Sequence, residues 1–168
     1  MFKKLFLAAA LILPTLASAQ TLKIGLVDVD EIVSKLPDTA EAQTKLADTS
    51  KKYEDEYAKL NDEMKRRYDE IEAMADDELP AIRERKIKDF QEYQMKIQQF
   101  EQSATQELGR YQQELMAPIY QKVNNAIQSV GQEGGFSLIE AKITQMVLYY
   151  DSPVLDITNE VKAKLGIN

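Results

Sequence analysis

The side chains that could do chemistry in this chain are carboxylates, amines, guanidinium groups and phenols, because its 168 residues include no His and no Cys. Those two absences remove the commonest general base, the thiolate nucleophile and the usual zinc ligands. The sequence also has no nucleophile elbow, phosphate-binding glycine loop or dinucleotide fingerprint, and Gly134-Gly135 predicts a turn. We therefore expect neither an enzyme nor a cofactor or metal site.

The carboxylates are numerous, but they have the pattern of a solvated surface. The chain has 28 acidic and 21 basic residues. Nearly all of the acidic residues fall on predicted helix faces, with basic residues three or four positions away. This spacing is typical of a charged helical rod in water.

Basic residues are concentrated near the middle of the chain, in two short runs. Their members are Lys65, Arg66, Arg67, Arg83, Arg85, Lys86 and Lys88. The stretch from Glu41 to Glu114 is acidic overall, with 19 acidic and 13 basic residues, so the cluster stands out. It predicts a contact with anionic lipid headgroups or an acidic partner. The alternative is a helix face balanced by Glu78, Glu84 and Asp89.

Aromatic residues in the same part of the chain give a second candidate surface. They are Tyr53, Tyr57, Tyr68, Phe90, Tyr93, Phe100 and Tyr111. We expect most of them to hold two helices together, whereas Tyr68 lies beside the apolar seam and is free to touch a partner. The predicted contact residues for a bound polypeptide or lipid are Tyr68, Arg83, Arg85, Lys86, Lys88 and Tyr93.

The elements that position these side chains are two long helices folded into a hairpin. Between Asp38 and Met116 the only glycine is Gly109 and the only proline is Pro80. Heptad spacing predicts an apolar seam along the first helix at Leu46, Tyr53, Tyr57, Leu60, Met64, Ile71 and Met74, interrupted by Ser50 and Arg67. We expect Asp38, with Glu41, to cap the first helix.

A polar turn at Ala75-Asp76-Asp77 separates the two predicted helices. Asp76 or Asp77 is expected to cap the second helix, with Pro80 in its first turn. Pro37 lies 40 residues before Asp77 and Pro118 lies 41 after it, so the two prolines are level in an antiparallel hairpin. Each helix below that level is roughly 60 Å long.

The two prolines mark a predicted hinge. The apolar pattern of the second helix continues past Pro118 to Val130, which predicts a kinked helix there. The alternative is that Pro118 ends one helix and begins another.

The two ends of the chain predict a small β-rich head. Strands are expected at Thr21–Val29, Phe136–Ala141 and Gln145–Tyr150, the last two joined by a short turn. One or two helical turns should cover Glu31–Leu36, and Gly131 should end the second long helix. Because a lone exposed strand is an aggregation hazard, the two ends should pair with each other, with the hairpin inserted between them.

Asp156 is expected to cap a last helix, with Ile157, Val161 and Leu165 on its apolar face. The fold class is therefore α+β and mainly α. The predicted divisions are a head of residues 20–37 plus 118–168 and a hairpin of 38–117 with its tip near 75–80. So small a head should need oligomerisation to bury enough apolar area.

The first nineteen residues have the features of a secretory signal peptide. Lys3 and Lys4 precede an apolar run from Leu5 to Leu13, and Ala17-Ser18-Ala19 predicts cleavage after Ala19 and a periplasmic location. A retained signal anchor is the alternative. Losing the two lysines leaves 19 basic and 28 acidic residues, a net charge of −9. Such a charge argues against nucleic-acid binding.

Three segments of this chain resemble one known family over essentially the whole mature sequence. The segments are KIGLVDVDEIVSKLP, APIYQKVNNAIQSVGQEGGFSLIEA and VLYYDSPVLDITNEVKAKL, and the family is that of the Skp/OmpH periplasmic chaperones. The resemblance implies a homotrimer in which a shared β-rich head holds three helical legs around a cavity. It also implies that unfolded outer-membrane proteins are held in that cavity without ATP.

One property departs from the family, because its legs or cavity are often described as basic and this mature chain is acidic. No lipopolysaccharide-binding residues are therefore carried over to it. The alternative function is a structural or adaptor coiled coil of the cell envelope without chaperone activity.

Overall fold

The computed structural model describes residues 22–142, 148–151 and 154–167, which form four helices and three short strands. The predicted α+β, mainly helical class is confirmed. The predicted signal peptide and its cleavage after Ala19 lie outside the described residues. No described helix is both long enough and apolar enough to span a membrane.

The three strands form one parallel sheet that joins the two ends of the chain. Strand β1 (Ile24–Val27) lies in the centre, between β2 (Leu138–Ala141) and β3 (Val154–Asp156). Ile24 is level with both Leu138 and Val154. The prediction that the N-terminal strand pairs with the C-terminal part of the chain is confirmed.

The predicted strand at Gln145–Tyr150 is wrong where the structure describes it. Residues 148–150 are not in a strand, and residues 143–147 lie outside the described part of the chain. The third strand is Val154–Asp156, and because β1 separates it from β2, the two C-terminal strands cannot form a hairpin. Apolar and β-branched residues suit both segments equally, so local composition could not show which one pairs with β1.

The first two helices begin in different ways. Helix α1 (Val29–Lys35) is capped by Asp28, whose Oδ1 accepts the N–H of Glu31 at 2.8 Å. Helix α2 (Pro37–Glu72) begins at Pro37 itself and has no side-chain cap. The predicted cap at Asp38 is therefore wrong, because proline in the first position already removes one unpaired N–H and fixes a helical φ.

Helix α3 (Pro80–Gly134) is the longest element, with 55 residues. Pro80 opens it as predicted, but Leu79 precedes it without a side-chain cap, so the predicted cap at Asp76 or Asp77 is wrong. Gly131 does not end the helix, since the left-handed φ of 63° that ends it is at Gly135. A Cβ at Gly131 would lie 2.9 Å from the Ile139 side chain, so this glycine permits close packing.

Helix α3 continues through Pro118 without a break. The alternative in which Pro118 separates two helices is therefore wrong, while the kink and the hinge stay predictions. Helices α2 and α3 pack antiparallel to each other. Tyr68 contacts Phe90 near the tip and Tyr53 contacts Phe100 farther down, each pair with ring centroids 6.0 Å apart.

The buried core lies where the sheet, α1, α4 (Thr158–Leu165) and the C-terminal part of α3 meet. Its most enclosed side chains are Ile32, Leu36, Val123, Ile157 and Val161. We call this part of the molecule the head, and we call α2 with α3 as far as Met116 the hairpin.

The last helix agrees with its predicted apolar face and in part with its predicted cap. Ile157 and Val161 are buried and Leu165 is half-buried. The N-cap position is Ile157, one residue after Asp156. Asp156 nevertheless accepts the N–H of Thr158 at 3.1 Å and its hydroxyl at 2.6 Å, which satisfies one of the free donors at the start of the helix.

Candidate functional site

The interface between the two helices of the hairpin is narrow. Between residues 43 and 118 its only buried apolar side chains are Leu60, Ile97 and Ala104. Tyr53 and Met64, both predicted for the seam, are half-buried. Tyr57 is 37 % exposed and lies at the edge of the seam. Two helices held by so few buried contacts leave most of their surface available to a partner.

The interface contains a cavity at the level where its residues have small side chains. Ser50 and Ala104 line a cavity of about 440 Å³ together with the aromatic rings of Tyr53, Tyr57 and Phe100. We call this cavity the mid-hairpin notch. The Tyr53 hydroxyl donates to Glu107 across the interface, which raises the pKa of Tyr53. The notch is therefore a half-open aromatic surface rather than a packed seam.

A second cavity lies at the base of the hairpin, close to the head. It has a volume of about 320 Å³, and its apolar lining comes from Leu46, Leu115, Met116 and Tyr120. We call it the base pocket. Tyr120 is 43 % exposed at its rim, and Gln113 contributes a polar edge.

Most of the basic residues at the tip form ion pairs within the hairpin. Arg66 lies between Glu63 and Glu70, and Lys86 crosses from α3 to the same Glu70. The hydrogen bond from Lys86 holds the pKa of Glu70 below its ordinary value, and the bond from Arg66 does the same for Glu63. Adjacent Arg67 also pairs with Glu63, at 2.9 Å.

The predicted contact residues on α3 are engaged to different degrees. Arg83 donates to the Ala75 carbonyl oxygen at 2.9 Å, and Lys88 lies 3.8 Å from Glu92. Within the described part of the chain, neither Lys65 nor Arg85 has an ion pair or hydrogen bond.

The acidic partners of the cluster are mainly Glu63, Glu70 and Glu92, where the sequence suggested Glu78, Glu84 and Asp89. A cluster already paired in this way attracts anions weakly. Contact of the tip with lipid stays a prediction.

The two candidate tyrosines have different surroundings. Tyr68 is 47 % exposed, and its hydroxyl donates to Glu72 at 2.6 Å, which raises the pKa of Tyr68. Tyr93 is half-buried beneath the Arg67 guanidinium, whose carbon lies 4.5 Å from the ring centroid. The ring of Tyr68 thus contacts Phe90 across the interface instead of lying beside it, but the side chain remains partly open to a partner, whereas the face of Tyr93 is already occupied.

The residues beside the two predicted hinge prolines are joined by an ion pair. Lys122, one turn after Pro118, donates to Asp38, one residue after Pro37, at 2.7 Å. This bond lowers the pKa of Asp38. The two prolines therefore lie near each other across the hairpin, at the level where it meets the head.

Helix α3 also has a surface without charge that was not predicted from the sequence. Its members recur every three or four residues along α3, roughly opposite the buried Ile97 and Ala104, and all are exposed: Gln91, Met95, Gln99, Gln102, Gln106, Gly109, Gln113 and Ala117. We call them the uncharged stripe. Its signal in the sequence is glutamine recurring with a helical period, and patterns of apolar and charged residues alone do not detect it.

Apolar side chains are also exposed around the sheet. Leu148 and Tyr149 are 91 % and 81 % exposed, and Leu22, Leu138 and Leu155 are each more than 40 % exposed. The described residues contain no group of three or more acidic side chains arranged to hold a metal ion.

The model of a family described as "Outer membrane protein (OmpH-like)" matches residues 23–165, a range that contains every described helix and strand. No curated protein matches the chain.

Proposed function

The chain belongs to the OmpH-like family, and we propose that it is a periplasmic chaperone that binds unfolded outer-membrane proteins without ATP and prevents their aggregation. The resemblance to the Skp/OmpH family is confirmed by the match over residues 23–165. The proposed activity is binding alone, with no catalytic step.

The observation that carries the proposal is the character of the hairpin. Its seam buries only Leu60, Ile97 and Ala104 between residues 43 and 118, and it leaves the mid-hairpin notch and Tyr68 exposed. A passive spacer needs a continuous, well-packed seam. Many weak, separate contact points suit a protein that binds many unfolded chains rather than one defined partner.

The exposed apolar residues of the head support association of several chains, and the family resemblance implies that there are three. Leu148 and Tyr149 are almost fully exposed, and both β2 and β3 have an unpaired edge within the described sheet. Surfaces of this kind are usually covered by another chain. Light scattering should give three times the mass of one chain, which is 19.1 kDa for the full sequence. A monomeric mass at micromolar concentration would rule out a cavity formed between three chains.

An aggregation assay tests the proposed activity. A urea-denatured outer-membrane barrel protein is diluted into buffer without nucleotide, alone or with a molar excess of this chain. We expect turbidity to be suppressed by this chain and not by an unrelated acidic coiled coil at the same mass concentration. Equal turbidity in all samples would favour a structural or adaptor coiled coil.

A further inference from the structure

The uncharged stripe differs sharply from the corresponding face of α2. On α2 the exposed residues Glu41, Asp48, Asp55, Asp62 and Asp69 recur at intervals of seven. Basic residues follow each of the first four after four positions, at Lys45, Lys52, Lys59 and Arg66. On α3 the stripe extends from Gln91 to Ala117, roughly 40 Å, without one ionisable side chain. One face of the hairpin therefore carries charges at regular intervals, and the other presents neutral amides.

The glutamine side chains of the stripe are free to form hydrogen bonds with a partner. Within the described part of the chain, none of the five side-chain amides has a hydrogen-bond partner. Each amide offers both donors and an acceptor, the same groups that a polypeptide backbone offers. A row of such groups can therefore bind backbone N–H and C=O groups wherever they lie along it.

Gly109 is a second and independent feature of the stripe. It lies in the interior of α3, where glycine weakens a helix, and a Cβ at this position would meet nothing within 4 Å. No contact within the chain explains the missing side chain. A glycine in such a place permits another backbone to approach the helix closely.

The stripe also leads to apolar surface at its two ends. Met95, toward the tip, is 54 % exposed. Gln113, toward the head, is part of the rim of the base pocket, whose apolar lining includes Leu46 and Met116. A chain lying on the stripe could thus hydrogen-bond along its length and place apolar side chains at both ends.

We infer that the uncharged stripe of α3, and not the charged face of α2, is the surface on which an unfolded polypeptide lies in extended form. At about 3.3 Å per residue the stripe accommodates about twelve residues. The inference rests on the proposed function and specifies its binding surface.

The chemistry of the stripe favours this occupant over three others. A lipid headgroup or a nucleic acid would need positive charge, and the stripe has none. A membrane interior would need a continuous apolar face. A helix from a second copy would need interlocking apolar side chains, and Met95 is the only large apolar residue in the stripe.

Site-specific photocrosslinking locates the bound chain directly. A photoreactive amino acid replaces Gln102 on the stripe or, as the matched position, Asp55 on α2. Both positions are exposed, and they lie at the same height in the hairpin, between the Tyr68–Phe90 contact and the Asp38–Lys122 ion pair. The probe is a urea-denatured, fluorescently labelled outer-membrane barrel protein.

We expect several-fold more crosslinking to the probe from position 102 than from position 55. Equal yields, a higher yield from position 55, or crosslinks from position 102 mainly to a second copy of this chain would overturn the inference. If wild-type protein suppresses aggregation while any of these results is obtained, only the inference fails. If wild-type protein leaves the probe unbound, the proposed function fails and the inference fails with it.

Charge substitution gives a second readout. The variant Gln99→Glu/Gln102→Glu/Gln106→Glu changes the net charge by −3 on the stripe. The control Lys45→Gln/Lys51→Gln/Lys52→Gln makes the same change at exposed lysines of α2 that have no ion pair within the described residues. Fluorescence anisotropy should show about a tenfold loss of affinity for the first variant and less than a twofold loss for the control. Equal losses would contradict the inference, and circular dichroism checks that both variants remain helical.

Discussion

Gly109 lowers the stability of helix α3, and no contact within the described part of the chain requires a glycine at this position. Glycine in a helix interior is about 0.5–1 kcal/mol less favourable than alanine. A Cβ at this position would meet no neighbouring atom within 4 Å, so an added methyl group causes no clash.

The substitution Gly109→Ala should therefore stabilise the isolated protein by about 0.5–1 kcal/mol. Chemical denaturation followed by circular dichroism measures the change. Ala58→Gly, at an exposed position in the interior of α2, is the matched reverse change and should destabilise the protein by a similar amount. No gain from Gly109→Ala would mean that a contact absent from this account requires the glycine.

The ion pair between Glu31 and Lys162 connects α1 to α4, with Nζ and Oε1 2.9 Å apart. The hydrogen bond to Lys162 lowers the pKa of Glu31 from its ordinary 4.5, and the same bond raises the pKa of Lys162 above 10.5. The contribution of Glu31 to stability is thus present above about pH 4.5 and is lost as the pH falls through its lowered pKa. The contribution of Lys162 is present below pH 10.5 and is lost as the pH rises through its raised pKa.

Replacing Glu31 with glutamine should lower stability at pH 7 and reduce the loss of stability between pH 7 and pH 3. Thermal unfolding at a series of pH values measures both effects. Glu41→Gln is the control, because Glu41 is exposed and has no ion pair within the described residues. Parallel pH profiles for wild type and Glu31→Gln would show that this pair does not contribute to the acid sensitivity of the fold.

At the scale of elements, the two long helices could be predicted because their signals are local. Apolar residues recur with a helical period along both, and Pro80 marks where α3 begins. The predicted end of α3 is four residues too early, at Gly131 instead of Gly135, because a glycine that permits close packing and one that ends a helix look alike in the sequence. The third strand could not be found in this way. Pairing of Val154–Asp156 with β1 depends on contacts across more than 120 residues of sequence, which no local pattern records.

Pro118 should have a measurable effect on the direction of the hairpin. Proline inside a helix removes one backbone hydrogen bond and clashes with the preceding turn, which bends the helix. Pro118→Ala should therefore straighten α3, and solution scattering should show a changed overall dimension. Pro80→Ala is the control, because Pro80 lies outside the predicted hinge in the first position of α3, where no helical hydrogen bond is lost. Identical scattering of wild type and Pro118→Ala would contradict the predicted hinge.

At the scale of the whole molecule, the ends and the hairpin differ in how they are stabilised. The head has a compact core that includes Ile32, Val123 and Val161, whereas the hairpin relies on a narrow seam and on surface ion pairs. Surface ion pairs contribute little each, so the hairpin should be the more deformable part. A deformable hairpin attached to a stable head can adapt its surface to bound chains of different sequence.

The candidate site could be predicted only in part, for a related reason. The exposure of Tyr68 and the concentration of basic residues at the tip follow from helical spacing, but the partners of those basic residues do not. Arg67 packs against the Tyr93 ring, and Lys86 forms an ion pair with Glu70 on the other helix. The uncharged stripe follows from helical spacing too, but its exposure along the whole of its length is a property of the folded hairpin.

The most direct test of the proposed chaperone activity uses the absence of tryptophan from this chain. An outer-membrane barrel protein containing tryptophan is diluted from urea into a solution of this protein without nucleotide, and the mixture is separated by size with light scattering and fluorescence detection. We expect the tryptophan signal to elute with this chain as a soluble complex, with the emission of an unfolded polypeptide and without barrel circular dichroism. Elution of the chain alone, with the barrel protein lost as aggregate, would contradict the account.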